Sequence, residues 1–240
     1  SDTARKIKKL PVSVSDKLFE LSKYQKKLGK LSISGTLKDF PSDDIRYSFL
    51  QFFLKGLGLP TQFHQFKFIN WLKQEEIYDD LENYIVSEGK NFKKEYQNFI
   101  ISPFISKGIL KLKPKFAENE AKVREYLKAN FERVNKISRE DMLSTIKDEV
   151  LPLFYEKTPC ILVVLDEVQQ FISSDGNKTI EVQNLAQDLS NGFDGKLLFV
   201  ATGQNALIET PFLQPLNDRF KVKVFLSDQD VESVTRKTVL

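Results

Sequence analysis

A phosphate-binding loop is the first thing this chain lacks. No Gly-x-x-x-x-Gly-Lys-Ser/Thr occurs in its 240 residues, so no backbone cradle for a triphosphate can be assigned. The ten glycines are scattered, and none forms a Gly-rich turn between a strand and a helix. A single cysteine, Cys160, excludes a disulfide framework and any cysteine-rich zinc site. A single histidine, His64, leaves little for imidazole-based metal binding or a Ser-His-Asp triad. Its place between Phe63 and Phe66 reads as a partly buried structural residue. No apolar run approaches the roughly 18 residues that span a bilayer, and no signal-peptide pattern opens the chain. The expectation is a cytoplasmic, bacterial-type protein with no membrane partner.

Charge of either sign is not in large excess. The net charge of +3 is too small to argue for nucleic acid by itself. Hydrophobic content of 41% with 29% charged residues fits a soluble globular chain of one or two domains. The first thirty residues are the exception, carrying Arg5, Lys6, Lys8, Lys9, Lys17, Lys23, Lys26, Lys27 and Lys30 with few acids. Such an arm reads either as a solvated helix face or as a contact for phosphate backbones.

What the sequence does contain is sharpest at Pro159–Glu167. Five consecutive apolar residues, Ile161 to Leu165, end abruptly in Asp166 and Glu167. A continuous apolar run of this kind fits a strand buried on both faces of a parallel sheet. Ligands of open α/β sheets gather at the carboxyl ends of such strands. Paired carboxylates there suit a magnesium nucleotide, with Asp166 holding the metal through its water shell and Glu167 orienting an attacking water. This is the form of a Walker B segment. The alternative is a structural strand ending whose acids simply face solvent.

Around that strand the periodicity divides the chain into three. Val12 and Val14, then Leu31, Ile33 and Gly35, alternate as short strands. Between them, residues 16–21 suit one or two helical turns. From Pro41 to about Tyr155 helical spacing dominates, rich in aromatics: Phe49, Phe52 and Phe53, then Phe63, Phe66 and Trp71, then Tyr126 and Phe131. Ser138-Arg139-Glu140-Asp141 opens the last of these helices with a capping pattern. An aromatic stripe at helical spacing reads as core. After the acidic strand, Ile180, Val182, Leu185 and Leu189 suggest an amphipathic helix closed by Asn191-Gly192. Lys196–Ala201 reads as a second buried strand ending in Thr202-Gly203-Gln204. Val222, Val224 and Leu226 suggest a third strand, and Ser227-Asp228-Gln229-Asp230 caps a final helix. Strands joined through a helix of this length fit a βαβ crossover.

The order strand-Asp-Glu, helix, strand-Thr-Gly-Gln, Asp-Arg-Phe, strand, capped helix resembles the second half of an AAA+ P-loop ATPase core. Residues 165–172, 200–207 and Arg219-Phe220 with 226–231 resemble the large ATPase of bacterial BREX-type phage-defence systems. Phe52–Pro60 also fits that family, through less specific motifs. The resemblance implies an α/β fold: a partial AAA+-like P-loop NTPase core with a parallel sheet and a large, mainly helical insertion. Residues 1–40 would supply short core strands and the basic arm, 41–155 the helical subdomain, and 156–240 the second half of the core.

It also implies roles. Asp166 and Glu167 would be the Walker B pair, with Asp166 at the metal. Thr202, with Gln204 as second choice, would occupy the sensor position beside the nucleotide. Arg219 would be an arginine finger, which requires a homo-oligomer, and Arg236 lies near the start of the lid helices. ATP and Mg2+ would be the cofactors, and DNA or other defence-system proteins the partners. The chain departs from the family in lacking Walker A, which would lie upstream of Ser1, so the isolated chain is expected to be inactive. Bland readings remain beside each: Thr202-Gly203-Gln204 as a turn, and Arg219 as a surface residue paired with Asp218. The second functional class is a non-catalytic α/β scaffold with a degenerate nucleotide site, presenting the helical block as its interaction surface.

Overall fold

The computed structural model describes residues 29–172 and 176–203, together with Asp16, Phe19 and Glu20. Three strands, β1 (Lys30–Gly35), β2 (Cys160–Leu165) and β3 (Leu197–Ala201), form one parallel sheet in the order β1-β2-β3. Gly35 pairs with Leu165, and Leu165 with Ala201, so the three carboxyl ends lie level. Many helices accompany this small sheet, and the architecture is α/β. No helix among the described residues is long and apolar enough to cross a membrane.

Between β1 and β2 every regular element is helical: α1 (Ile45–Gly56), α2 (Phe63–Gln74), α3 (Tyr78–Ser87), α4 (Phe92–Gln97), α5 (Pro103–Leu112), α6 (Glu120–Asn130) and α7 (Arg139–Ser144), with a short 3-10 turn at Leu37–Asp39. Five of their starts are fixed by side-chain caps. Asp44, Asn91, Ser102, Asn119 and Ser138 each accept the N–H of the residue three positions on, worth about 1 kcal/mol apiece. After α7 the helix widens to π geometry over Thr145–Val150 and tightens to 3-10 over Leu151–Leu153. Pro152 accounts for the change, since it offers no N–H and its ring would crowd the carbonyl four residues back. Beyond β2 come α8 (Val168–Ile172) and α9 (Gly176–Gly192).

These helices serve two cores. Helices α1, α7 and α9 and the π turn share one core with the sheet, in which Phe49, Phe53, Ile146, Leu185 and Leu189 are buried together with Ile33, Ile161, Val163 and Leu165. Helices α3 to α6 and most of α2 form a second core around Phe68, Leu81, Ile85, Phe99, Ile109 and Leu127. Helix α2 joins the two, because Phe66 faces the first core and Phe68 the second. Glu149 ties the junction from the π turn, accepting from Lys67 Nζ and, at 3.3 Å, from Asn70 Nδ2.

Strand β2 differs from the expectation of burial on both faces. Its residues alternate, with Ile161, Val163 and Leu165 buried and Cys160, Leu162 and Val164 half-buried. The second face of the sheet belongs to neither core: Ser32 and Ser34 are exposed on β1, and Leu198 on β3 is 62% exposed. The continuous apolar run therefore reflects branched residues that suit a strand, and among the described residues the covering helices lie on one side. The strand expected at Val12–Val14, the strand at Val222–Leu226 and the final capped helix lie outside the described residues.

Candidate functional site

Asp166 and Glu167 follow β2 directly, at the level carboxyl ends of the sheet. Three backbone bonds clasp the segment between its neighbours. Asp166 N–H donates to the Gly35 carbonyl of β1 at 2.8 Å, Thr202 N–H donates to Leu165 at 2.9 Å, and Val168 N–H donates to Thr202 at 3.1 Å. The acid pair thus sits in a frame set by both flanking strands.

Within that frame the side chains engage each other. The Thr202 hydroxyl donates to Asp166 Oδ1. The Glu167 N–H points at the same place, 3.1 Å from Asp166 Oδ1 and 3.2 Å from Thr202 Oγ1. Glu167 takes a left-handed backbone conformation with φ of 49°. An L-residue other than glycine held there stores about 1–2 kcal/mol. Such a conformation persists only where the surroundings over-determine it. Here they do, since the N–H on one side and the Gln170 N–H to Glu167 C=O bond (2.8 Å) on the other both fix the peptide. Its effect is to turn the chain sharply from β2 into α8.

Gln170, one turn into α8, donates its amide to Glu167 Oε2 and accepts from Lys38 Nζ at 3.4 Å. Sequence reasoning passed over this residue. The signal was its position three residues after Glu167, which places it on the same side of a helical turn. Lys38 and Gln170 also line a cavity of about 600 Å³ beside the site, with Gln51, Asn135, Phe171 and Lys178 among its other walls. Asp166, Glu167 and Thr202 do not line it.

The structure therefore brings together Asp166, Glu167 and Thr202, three of the residues singled out by sequence. Gln204, Arg219 and Arg236 lie outside the described residues. Asp166 and Thr202 are exposed and Glu167 half-buried, so the carboxylates face a solvent-accessible edge. Among the described residues no group of three or more His, Cys, Asp or Glu side chains gathers. The donor set thus fits a magnesium ion that keeps most of its water and rests on one or two carboxylates and substrate phosphates. It does not fit an all-protein metal cage. No family model matches this chain, and neither a curated protein nor a solved structure matches it.

Proposed function

We propose that this chain is part of an AAA+-like P-loop ATPase, resembling the large ATPase of BREX-type phage defence, that couples ATP hydrolysis to conformational change on DNA or partner proteins. The observation that carries the reading is the Asp166–Thr202–Glu167 cluster at the carboxyl ends of two adjacent parallel strands. Bound magnesium nucleotide would supply the phosphoryl group and the charge neutralisation of its transfer. Asp166 keeps one oxygen on the Thr202 hydroxyl, which leaves the rest of its carboxylate for the water shell of a metal. Glu167 orients water as general base, and Gln170 positions that carboxylate through its amide. Among the described residues no strand pairs with β3 on its outer edge, and a phosphate-binding loop supplied by sequence beyond these residues would enter there. Arg219 is the proposed finger, reaching a neighbouring subunit of a cytoplasmic homo-oligomer.

The test compares the isolated chain with the longer protein. Residues 1–240 alone bind Mg-ATP weakly or not at all and do not hydrolyse it, because they lack the N–H cradle and its lysine. In the longer protein Glu167→Gln retains ATP binding and stalls turnover, whereas Asp166→Ala weakens magnesium-dependent binding. Arg219→Ala lowers turnover about 10³- to 10⁵-fold with affinity nearly intact. Turnover within about threefold of the parent for Glu167→Gln removes the general-base assignment and favours the non-catalytic scaffold.

A further inference from the structure

The second core holds a cleft that the ATPase reading leaves unused. It has a volume of about 430 Å³ and opens between the start of α2, the turn after α4 and the end of α6. His64 forms part of its wall, with its side chain inside the fold at 5% exposure. The imidazole leans on the Phe99 ring, centroids 5.9 Å apart, and among the described residues it makes no hydrogen bond. Neither ring nitrogen is among the sealed side-chain atoms that lack a partner, so both are reached from solvent at the cleft while the carbon face is buried.

Three charged residues line the same cleft: Lys128, Glu132 and Arg133. Among the described residues none of the three forms an ion pair, although Glu132 and Arg133 are neighbours in sequence. Two cations against one carboxylate leave the cleft positive. Arg133 lies close enough to His64 that its charge, added to burial, holds the imidazole below the usual histidine range. An anion in the cleft would take donors from Arg133 and, once the ring is protonated, from His64. The apolar part of the wall is Ile100 and Ile101, and Ile101 is 74% exposed.

We propose that this cleft binds a small organic anion, its oxyanion held between His64 and Arg133 with Lys128 at the rim, and its apolar body resting on Ile100 and Ile101. Arginine suits the task because its fork matches two oxygens of a carboxylate or phosphate. His64 enters as donor once it is protonated beside the anion, so binding raises its pKa.

Because His64 is the only histidine of the chain, its imidazole gives a single, unambiguous NMR signal. The experiment titrates the 240-residue chain with hexanoate, inorganic phosphate and hexanol at constant ionic strength, following that signal. Saturable shifts with hexanoate, a rise of the His64 pKa on saturation, and a much smaller response to hexanol are the expected result. Phosphate separates the two oxyanion sources: saturation by phosphate as tight as by hexanoate assigns the head group to phosphate. Arg133→Gln, at an exposed position that leaves the fold intact, weakens hexanoate binding about tenfold or more. A His64 signal that responds to neither anion beyond the sodium chloride control overturns the proposal. So does hexanoate binding of equal strength in Arg133→Gln. Neither outcome touches Asp166 or Glu167, so the ATPase reading stands or falls separately.

Discussion

The core beneath the sheet and the core of α2 to α6 solve different problems with different side chains. Under the sheet, branched residues of β1 and β2 meet a phenylalanine-rich helix, and the layer is locked by charge at its rim. Asp188 of α9 accepts from Arg46 Nε of α1 at 2.9 Å and from Arg139 Nε of α7 at 3.0 Å. The second core has no sheet to lie on and is centred on rings. Phe68 and Phe99 stack with centroids 4.1 Å apart and planes 4° from parallel, and Phe131 meets both edge-on. The contrast teaches that a helical unit without a template gains its shape from aromatic geometry, which is directional as well as apolar. The sheet unit gains its shape from strand register and can leave its polar edge free for chemistry.

The comparison is broken most forcefully through the stacked pair. Phe99→Ala removes one ring of the stack and the surface that supports His64, and we expect a loss of about 3–5 kcal/mol in urea unfolding. Hydrogen exchange should rise in 68–131 while amides of β2 stay protected. Equal loss of protection in both regions shows that the two cores unfold as one.

A smaller effect is expected at the rim of the sheet core. Asp188→Ala leaves two guanidinium groups without their acceptor. With the Asp188 side chain only 12% exposed but its partners 31% and 39% exposed, the loss should be about 1.5–3 kcal/mol. Asp188→Asn, which keeps an acceptor, should recover part of it. No difference between the two variants means that shape, not the ion pair, holds α1, α7 and α9 together.

Two glycines offer a matched test of packing. A Cβ at Gly56 would stand 2.5 Å from Ile33 Cγ2 of β1, and one at Gly108 would stand 2.4 Å from Leu81 Cδ1 of α3. Each Gly→Ala substitution forces a helix off its neighbour and should cost about 1–3 kcal/mol, net of the gain in helix propensity. Gly108→Ala should cost more, because Tyr84 Cδ1 also lies 2.7 Å away and both obstructions belong to a buried surface. The reverse order points to the more adaptable packing in the second core.

The mildest expectation concerns pH. Burial and then Arg133 lower the His64 pKa in the folded state, so between the folded and unfolded values the unfolded chain binds more protons. Stability therefore rises with pH through that window, and it falls as pH drops below the ordinary histidine value near about 6.5. Unfolding measured from pH 7.5 to 5.5 should show this decline in the parent chain and not in His64→Gln. An unchanged slope in the variant assigns the decline to carboxylates.

The sequence made some of this legible for reasons that are local. The helix start at Ser138 follows from capping chemistry, and the strand ending in Asp166-Glu167 follows from an apolar run with an abrupt limit. The resemblance implies a sensor position for Thr202, but its bond to Asp166 depends on β2 and β3 being neighbours and is visible only in the fold. Nothing local told Phe66 from Phe68, yet one helical step sends them to different cores. The left-handed backbone at Glu167 and the amide of Gln170 were also beyond reach, because both answer to bonds made after the chain has folded.

The pairing of Ser32 with Leu162 has a consequence for the route to the folded state. It makes the whole interval 36–159 a loop that must close before the first two strands can zip together. Closure entropy grows only slowly, by about 0.6 kcal/mol for each doubling of length, but distant pairings of this kind slow the search. The aromatic helices lie inside that loop and depend on contacts close in sequence. The interval leaves the sheet core after Phe66 and returns to it at Ile137, so collapse of the helices draws these two points together and shortens the remaining search. Helices first and parallel strands last is the order of assembly this topology favours.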